Sequence, residues 1–178
     1  MFSSSIKKTL LVLVSCTLPL LLQAATVYES QTEFLDRAFR GSPPEPEVIW
    51  LSGDKKSTVG QILGHDYPAL RLRYWCEAGR SAWVLEEVGK EQPITVGIII
   101  DADHIKNLRV LTYRENRGGE VATASFTDQF NQLMLDEDNQ LNEHIDGISG
   151  ATLSVYALTR LAELALYLHE QSRCEVGT

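Results

Sequence analysis

The sequence predicts an α+β fold in which an antiparallel sheet packs against helices, the last of them long. Between residues 70 and 113, four segments favour strands and are joined by short turns, as in an antiparallel sheet. Near the C-terminus, residues 151–171 place apolar side chains at helical spacing and are rich in Ala, Leu and Glu. The N-terminal residues are typical of a signal peptide that precedes this fold.

Residues 1–24 have the composition of a secretory signal peptide. Two lysines form a positive region before an apolar run over residues 9–22, and Ala24 is a small residue at which cleavage would occur. The alternatives are a retained N-terminal membrane anchor and a lipoprotein cleavage site at Cys16. We therefore expect a periplasmic protein, and we leave open whether the segment is cleaved, lipidated or retained.

Residues 25–80 are expected to form an N-terminal extension that belongs to the same globule as the rest. Residues 29–39 have the spacing of a short helix, with Ser30 or Thr32 as its N-cap. The proline-rich residues 41–46 form a connector. They precede a short strand candidate at 48–51, a polar turn at 53–56 and one helical turn at 58–63.

The strand candidates are defined by alternating or continuous apolar residues, bounded by turn-forming residues. The strands are predicted at 70–76, 82–88, 94–100 and 105–113. A loop containing Gly118 and Gly119 follows, then a predicted helix at 126–134 and an acidic loop at 136–139. The acidic loop lacks the glycine and the final glutamate of a calcium-binding loop.

Charge and missing motifs exclude several function classes. The net charge is −8 at pH 7, which argues against nucleic acid and anionic membrane surfaces as partners. The sequence has no Cys-x-x-Cys-His haem site, no phosphate loop and no Gly-x-Ser-x-Gly elbow. Its histidines are far apart, so we predict no metal site. The remaining cysteines, Cys76 and Cys174, could form a disulfide in an oxidising compartment or stay unrelated thiols.

The start of the C-terminal helix has the residues of an anion site. Ser149 is placed to cap the first free amides, and the helix start attracts negative charge. Gly150 and Ala151 would let a phosphate come close, and Thr152 and Ser154 add hydroxyls. Residues of these types are also ordinary capping residues, so their chemistry alone leaves both interpretations open.

This segment resembles the attachment motif of the FMN-binding domain in the periplasmic flavoprotein subunits of sodium-pumping NADH:quinone oxidoreductase and Rnf-type complexes. In that family a separate flavin transferase joins FMN to the last hydroxyl residue of the motif through a phosphoester bond. The resemblance therefore implies covalent FMN on Ser154. The matching residues are Asp146, Ser149, Gly150, Ala151, Thr152 and Ser154, with Leu153 as the spacer.

The resemblance extends upstream and covers roughly residues 83–170. It implies an FMN-binding domain at 81–172, followed by a tail at 173–178. Residues 115–119 stand where the family has a loop facing the flavin, although the family's Thr-Pro-Gly core is absent. The residues implied to face the ring are Glu115, Arg117, Gly118 and Gly119.

Side chains near this loop leave alternatives open. Arg117 or Arg114 would stabilise a reduced, anionic ring, and the alternative is a solvated loop charge. The aromatic residues Trp75, Trp83 and Tyr113 are expected in the core rather than stacked on the flavin.

Together these features predict an electron carrier rather than an enzyme. It would work in a membrane-associated redox chain, with a flavin transferase and membrane or cytochrome redox proteins as partners. The alternatives are a small flavin-dependent reductase and a non-redox flavin-binding module.

Overall fold

A computed structural model describes residues 25–172 and 174, so the predicted signal peptide and most of the predicted tail lie outside the described residues. The described chain is an α+β fold with an antiparallel sheet and a long C-terminal helix, as predicted. The strands are β1 (Thr26–Val27), β2 (Glu47–Trp50), β3 (Arg71–Glu77), β4 (Arg80–Val88), β5 (Pro93–Asp101) and β6 (His104–Tyr113). The helices are α1 (Gln31–Ala38), α2 (Gly53–Leu63), α3 (Ala124–Thr127) and α4 (Thr152–Glu170).

The sheet has the strand order β1-β6-β5-β4-β3-β2. Strands β3 to β6 form successive hairpins, and the register of β4 with β5 runs from Arg80 opposite Asp101 to Val88 opposite Pro93. The N-terminal region supplies both edges of this sheet, since β2 pairs with β3 and β1 pairs with β6. β1 was not predicted, because two residues are too few to show a period.

Helices cover the two faces of the sheet unequally. The larger core lies between the sheet and α2 and α4, and includes Trp83, Leu85, Leu158 and Leu161. On the other face α1 packs with a smaller cluster that includes Phe34, which is fully buried. Ser30 caps α1, with reciprocal bonds between Ser30 and Glu33, as one of the two expected N-caps.

Two predicted elements differ in the structure. The polar turn at 53–56 and the helical turn at 58–63 form one helix, α2, which buries Val59 and Leu63 and keeps its polar first turn outside. The predicted helix at 126–134 is limited to α3 and one 3-10 turn at Asp128–Phe130. It stops because the amide of Gln132 donates to Ile105 and the amide of Ile105 donates to Leu133, which draws this segment alongside β6.

Cys76 on β3 and Cys174 form a disulfide, the pairing that the even cysteine count permitted. The bond links residues 98 positions apart and attaches the chain beyond α4 to the sheet.

Among the described residues, no helix combines the length and the apolar character needed to cross a membrane.

Candidate functional site

The candidate site is built around the start of α4. The helix begins at Thr152, and Ala151 occupies the N-cap position without a side-chain cap. Ser149 does not cap the helix, contrary to the sequence prediction. Gly150 has a φ of +83°, and the Ala151 amide turns back to the carbonyl of Ile148, so Ser149 lies outside the capping position. The amides of the first turn are therefore left for solvent or an anion.

Ser154 is the third residue of α4 and points inward. It is 4% exposed, and its Oγ lies 3.0 Å from the hydroxyl oxygen of Tyr113. The same Tyr113 hydroxyl donates a 2.5 Å hydrogen bond to the carbonyl of Arg117. A phenol has a single hydrogen, so Ser154 is the donor to Tyr113 in this arrangement. Burial raises the pKa of the Tyr113 phenol, partly offset by its contact with Ser154.

Gly118 allows the loop after β6 to lie on this helix start. Its φ is +84°, a conformation that favours glycine. A Cβ at this position would come within 2.8 Å of the Tyr113 hydroxyl and 3.0 Å of the Ala151 side chain. The structure thus brings the predicted Gly118 loop and the predicted Ser154 segment into contact, although they are far apart in sequence.

Glu115 fixes the base of that loop. One of its carboxylate oxygens accepts hydrogen bonds from the backbone amides of Lys90, Glu91 and Gln92, at 2.6, 2.6 and 3.0 Å. Burial of the carboxyl opposes its ionisation, but the three amides outweigh that effect and lower the pKa of Glu115. Glu115 therefore links the loop to the β4–β5 turn as an anion.

Gly89 lies between Glu115 and Ser154. A Cβ on Gly89 would come within 3.1 Å of the Glu115 carboxylate and 3.4 Å of Ser154 Oγ. The β4–β5 turn, the loop after β6 and the start of α4 therefore meet at Gly89. A side chain on Gly89 would crowd both Glu115 and Ser154.

The other motif residues lie on the surface beside this contact. Asp146, Ser149, Gly150 and Thr152 are exposed, and Leu153 is half-exposed, with 50% of its surface accessible. The Asp146 amide donates to the side chain of Gln129, which anchors the segment to the residues after α3. Ala151 is buried beneath the loop. The motif therefore has an exposed rim and one buried hydroxyl, that of Ser154.

The two arginines have different surroundings. Arg114 donates to the carbonyl of Pro93 and to Thr95, and it lies 3.4 Å from the Glu86 carboxylate, so its charge is already paired. Arg117 contributes its backbone carbonyl to the contact with Tyr113, while its side chain is exposed. Of the two, Arg117 is the one whose guanidinium remains available to an anionic ligand.

Sequence reasoning missed two contributors to this site. Tyr113 is buried, as expected of a core aromatic residue, but its hydroxyl is the partner of Ser154. Gly89 and the amides that follow it belong to a turn with no recognisable motif. Trp75 and Trp83 are core residues, as predicted, and Trp83 stacks on Tyr74 with ring centroids 4.8 Å apart.

The residues present fit the phosphate of a flavin nucleotide. The start of α4 lacks a side-chain cap, small residues surround it, and the hydroxyls of Thr152 and Ser154 belong to its first turn. A diester phosphate keeps one negative charge, which an exposed helix start stabilises by about 0.3–1 kcal/mol. Ser154 Oγ is buried against Tyr113 rather than exposed at the rim.

Comparison with known proteins agrees with this geometry. Residues 89–167 match the family of the FMN-binding domain. The matched range contains Gly89, Glu115, Gly118 and Ser154, which meet at the site. Searches of curated proteins and of solved structures gave no significant match. Residues 89–167 are therefore similar to the FMN-binding domain, which is consistent with an FMN-binding protein.

Proposed function

We propose that the protein carries one FMN joined by a phosphoester bond to Ser154 and transfers electrons in a membrane-associated redox chain outside the cytoplasm. The observation that carries the proposal is the position of Ser154. It is the final hydroxyl residue of the attachment motif and belongs to the first turn of α4, next to the Gly118 loop. The family match over residues 89–167 supports FMN as the ligand.

The chain's own residues would bind and orient the phosphate end of the cofactor. The uncapped amides at the start of α4 would stabilise the negative charge of the phosphate. Thr152 would offer a second hydroxyl at the exposed rim. Glu115 holds the neighbouring loop in place through the β4–β5 turn. When bound, the isoalloxazine ring of FMN supplies the redox chemistry, and the protein positions it.

The proposed location outside the cytoplasm rests on two features. The disulfide between Cys76 and Cys174 is typical of oxidising compartments. The sequence of residues 1–24 has the pattern of an export signal. A covalent bond suits such a compartment, because a lost cofactor could not easily be replaced there.

The proposed role as an electron carrier rests on the accessibility of the site. Leu153 and Tyr156 are 50% and 57% exposed on the first turns of α4, on either side of Ser154. A redox protein could therefore approach this end of the helix directly. The proposed partners are a flavin transferase for attachment and membrane or cytochrome proteins for electron exchange.

Mass measurement after co-expression with a flavin transferase tests the attachment. We expect a gain of one FMN minus one water, retained in Thr152→Ala and lost in Ser154→Ala. Thr152→Ala is the control for Ser154→Ala, because it removes a hydroxyl from the same first turn of α4, two residues away. A wild-type protein that gains no mass beside an active transferase contradicts the proposal.

The redox role needs a separate measurement on the loaded protein. Its flavin absorbance should bleach with dithionite and return on reoxidation, and the colour should survive denaturation. A flavin that remains bound but cannot be reduced and reoxidised contradicts electron transfer.

A further inference from the structure

Tyr113 occupies a position from which it controls the hydroxyl that would be modified. Its oxygen is 3.0 Å from Ser154 Oγ and 2.5 Å from the carbonyl oxygen of Arg117. One phenol oxygen therefore joins the start of α4 to the loop after β6. Ser154 and Tyr113 are only 4% and 3% exposed, so the contact is sealed from solvent.

Attachment of FMN requires more room than this arrangement leaves. In that step the Oγ–H bond of Ser154 breaks and an Oγ–P bond forms. The phosphoanhydride bond of a flavin dinucleotide breaks, its electron pair leaves with the nucleotide phosphate, and the proton passes to a base of the transferase. Ser154 Oγ must therefore meet a phosphorus atom held by another protein, which it cannot do while it faces Tyr113.

We propose that Tyr113 is a positioning residue that holds unmodified Ser154 turned inward, and that this contact opens before FMN is attached. The inference rests on the proposed function of Ser154. Two states follow: a closed one with Ser154 bonded to Tyr113, and an open one with Oγ accessible. The transferase acts on the open state, so its apparent affinity for the chain depends on the fraction that is open.

Attachment also makes the opening permanent. Esterified Ser154 Oγ has no hydrogen to donate, so Tyr113 loses its donor from α4. Tyr113 can still donate to Arg117, and Glu115 still holds the base of the loop through three backbone amides. The loop after β6 is thus released from the helix at one point while its anchor to the β4–β5 turn remains.

Steady-state kinetics of a purified flavin transferase with a flavin dinucleotide tests the proposal, with this full chain as the acceptor and mass as the readout. In Tyr113→Phe the ring stays buried and both hydrogen bonds are lost. We expect kcat/KM for the acceptor chain to rise roughly twofold to tenfold, the range for one net hydrogen bond, mainly through a lower KM.

Tyr74→Phe is the matched control. Tyr74 is also 3% exposed, and its hydroxyl donates a 2.8 Å hydrogen bond to Glu47, away from the site. We expect this variant to be modified at the wild-type rate. An equal rise in Tyr74→Phe would show that general loosening, rather than the contact with Ser154, limits attachment, and it would overturn the proposal.

A second variant keeps the test decisive if Tyr113→Phe folds poorly. In Gly118→Ala the new Cβ would lie 2.8 Å from the Tyr113 hydroxyl, so the closed contact is disturbed without substituting Tyr113. We again expect faster attachment. Unchanged or slower attachment in both variants, with the wild type still loaded, overturns only the role of Tyr113. A wild type that takes up no flavin refutes the proposed function and this inference together.

Discussion

The ring of Phe34 lies against Gly97. A Cβ placed on Gly97 would come within 2.6 Å of a carbon of that ring. Gly97 belongs to β5, a central strand, and pairs with Val84 on one side and Arg109 on the other. The missing side chain at this position is what lets α1 reach the sheet and close its smaller core.

Gly97→Ala should therefore destabilise the fold. The added methyl group has to displace a buried ring, and overpacking of this kind costs about 1–3 kcal/mol. Gly147→Ala is the control, because a Cβ there would meet nothing within 4 Å. Urea unfolding of both variants measures the difference, and equal midpoints would show that α1 does not press on β5.

Loss of the disulfide should lower stability more than most single substitutions. The bond between Cys76 and Cys174 spans 98 residues, so it restricts the unfolded chain strongly. Replacing both cysteines with serine is expected to cost about 2–4 kcal/mol of unfolding free energy. Unfolding of the wild type with and without reductant provides the check. A midpoint that reductant leaves unchanged would mean that the bond contributes nothing to stability.

Glu115 should stabilise the fold only while it is ionised. Its pKa is lowered from the ordinary 4.5, because the amide hydrogen bonds outweigh the burial that opposes them. The stabilisation is therefore present above the ordinary pKa and is lost as the pH falls through the lower folded-state pKa. Glu115→Ala should cost about 1–3 kcal/mol near neutral pH, since it removes hydrogen bonds to a charged acceptor.

Unfolding measured across acidic pH checks this dependence. The difference between wild type and Glu115→Ala should shrink as the pH falls. Glu120→Ala, which removes an exposed carboxylate from the 3-10 turn that follows the loop, is the control and should keep the wild-type profile. A difference that stays constant over the whole range would contradict the role of the Glu115 charge.

The surroundings of His169 predict a second pH dependence of folding stability, in a different pH range from that of Glu115. Burial lowers the pKa of its imidazole from 6.5, against the raising effects of the Ala102 backbone, Asp103 and Asp101. Ser81 lies 2.7 Å from its Nδ1 and also accepts a hydrogen bond from Trp83. Neutral His169 therefore contributes its full stabilisation above pH 6.5. This contribution is lost as the pH falls through the lower folded-state pKa.

The test compares unfolding free energies from neutral to mildly acidic pH. His169→Gln should flatten the decline that the wild type shows, whereas His144→Gln, at an exposed loop position, should leave it unchanged. An identical slope in His169→Gln and wild type would mean that this imidazole does not titrate differently on unfolding.

The periodicity of apolar residues predicted the helices and strands that bury one face along their whole length. β3 to β6 and α4 were predictable because their apolar spacing matches the face that they bury. The first turn of α2 could not be predicted in this way, because its residues are polar. The residues that α2 buries, Val59 and Leu63, lie in its later turns. The conformation of the segment after Phe130 could not be predicted from periodicity either. It is set by backbone hydrogen bonds with Ile105, which is distant in sequence.

The candidate site divides in the same way. The segment around Ser154 could be recognised from its spacing and residue types. The contact with Tyr113 could not, because it joins residues 41 positions apart and needs the sheet to place β6 beside α4. The capping role of Ser149 was wrong because one backbone angle at Gly150 decides where the helix begins.

The continuous pairing of β4 with β5 has a consequence for where the protein can be divided. The family match begins at Gly89, inside the turn between these strands, so it includes β5 and omits its partner β4. A fragment limited to the match would have two bare sheet edges and a core stripped of Trp83 and Leu85. The matched range is therefore smaller than the sheet and core that complete it, so a fragment intended to fold should keep the residues that form β1 to β4.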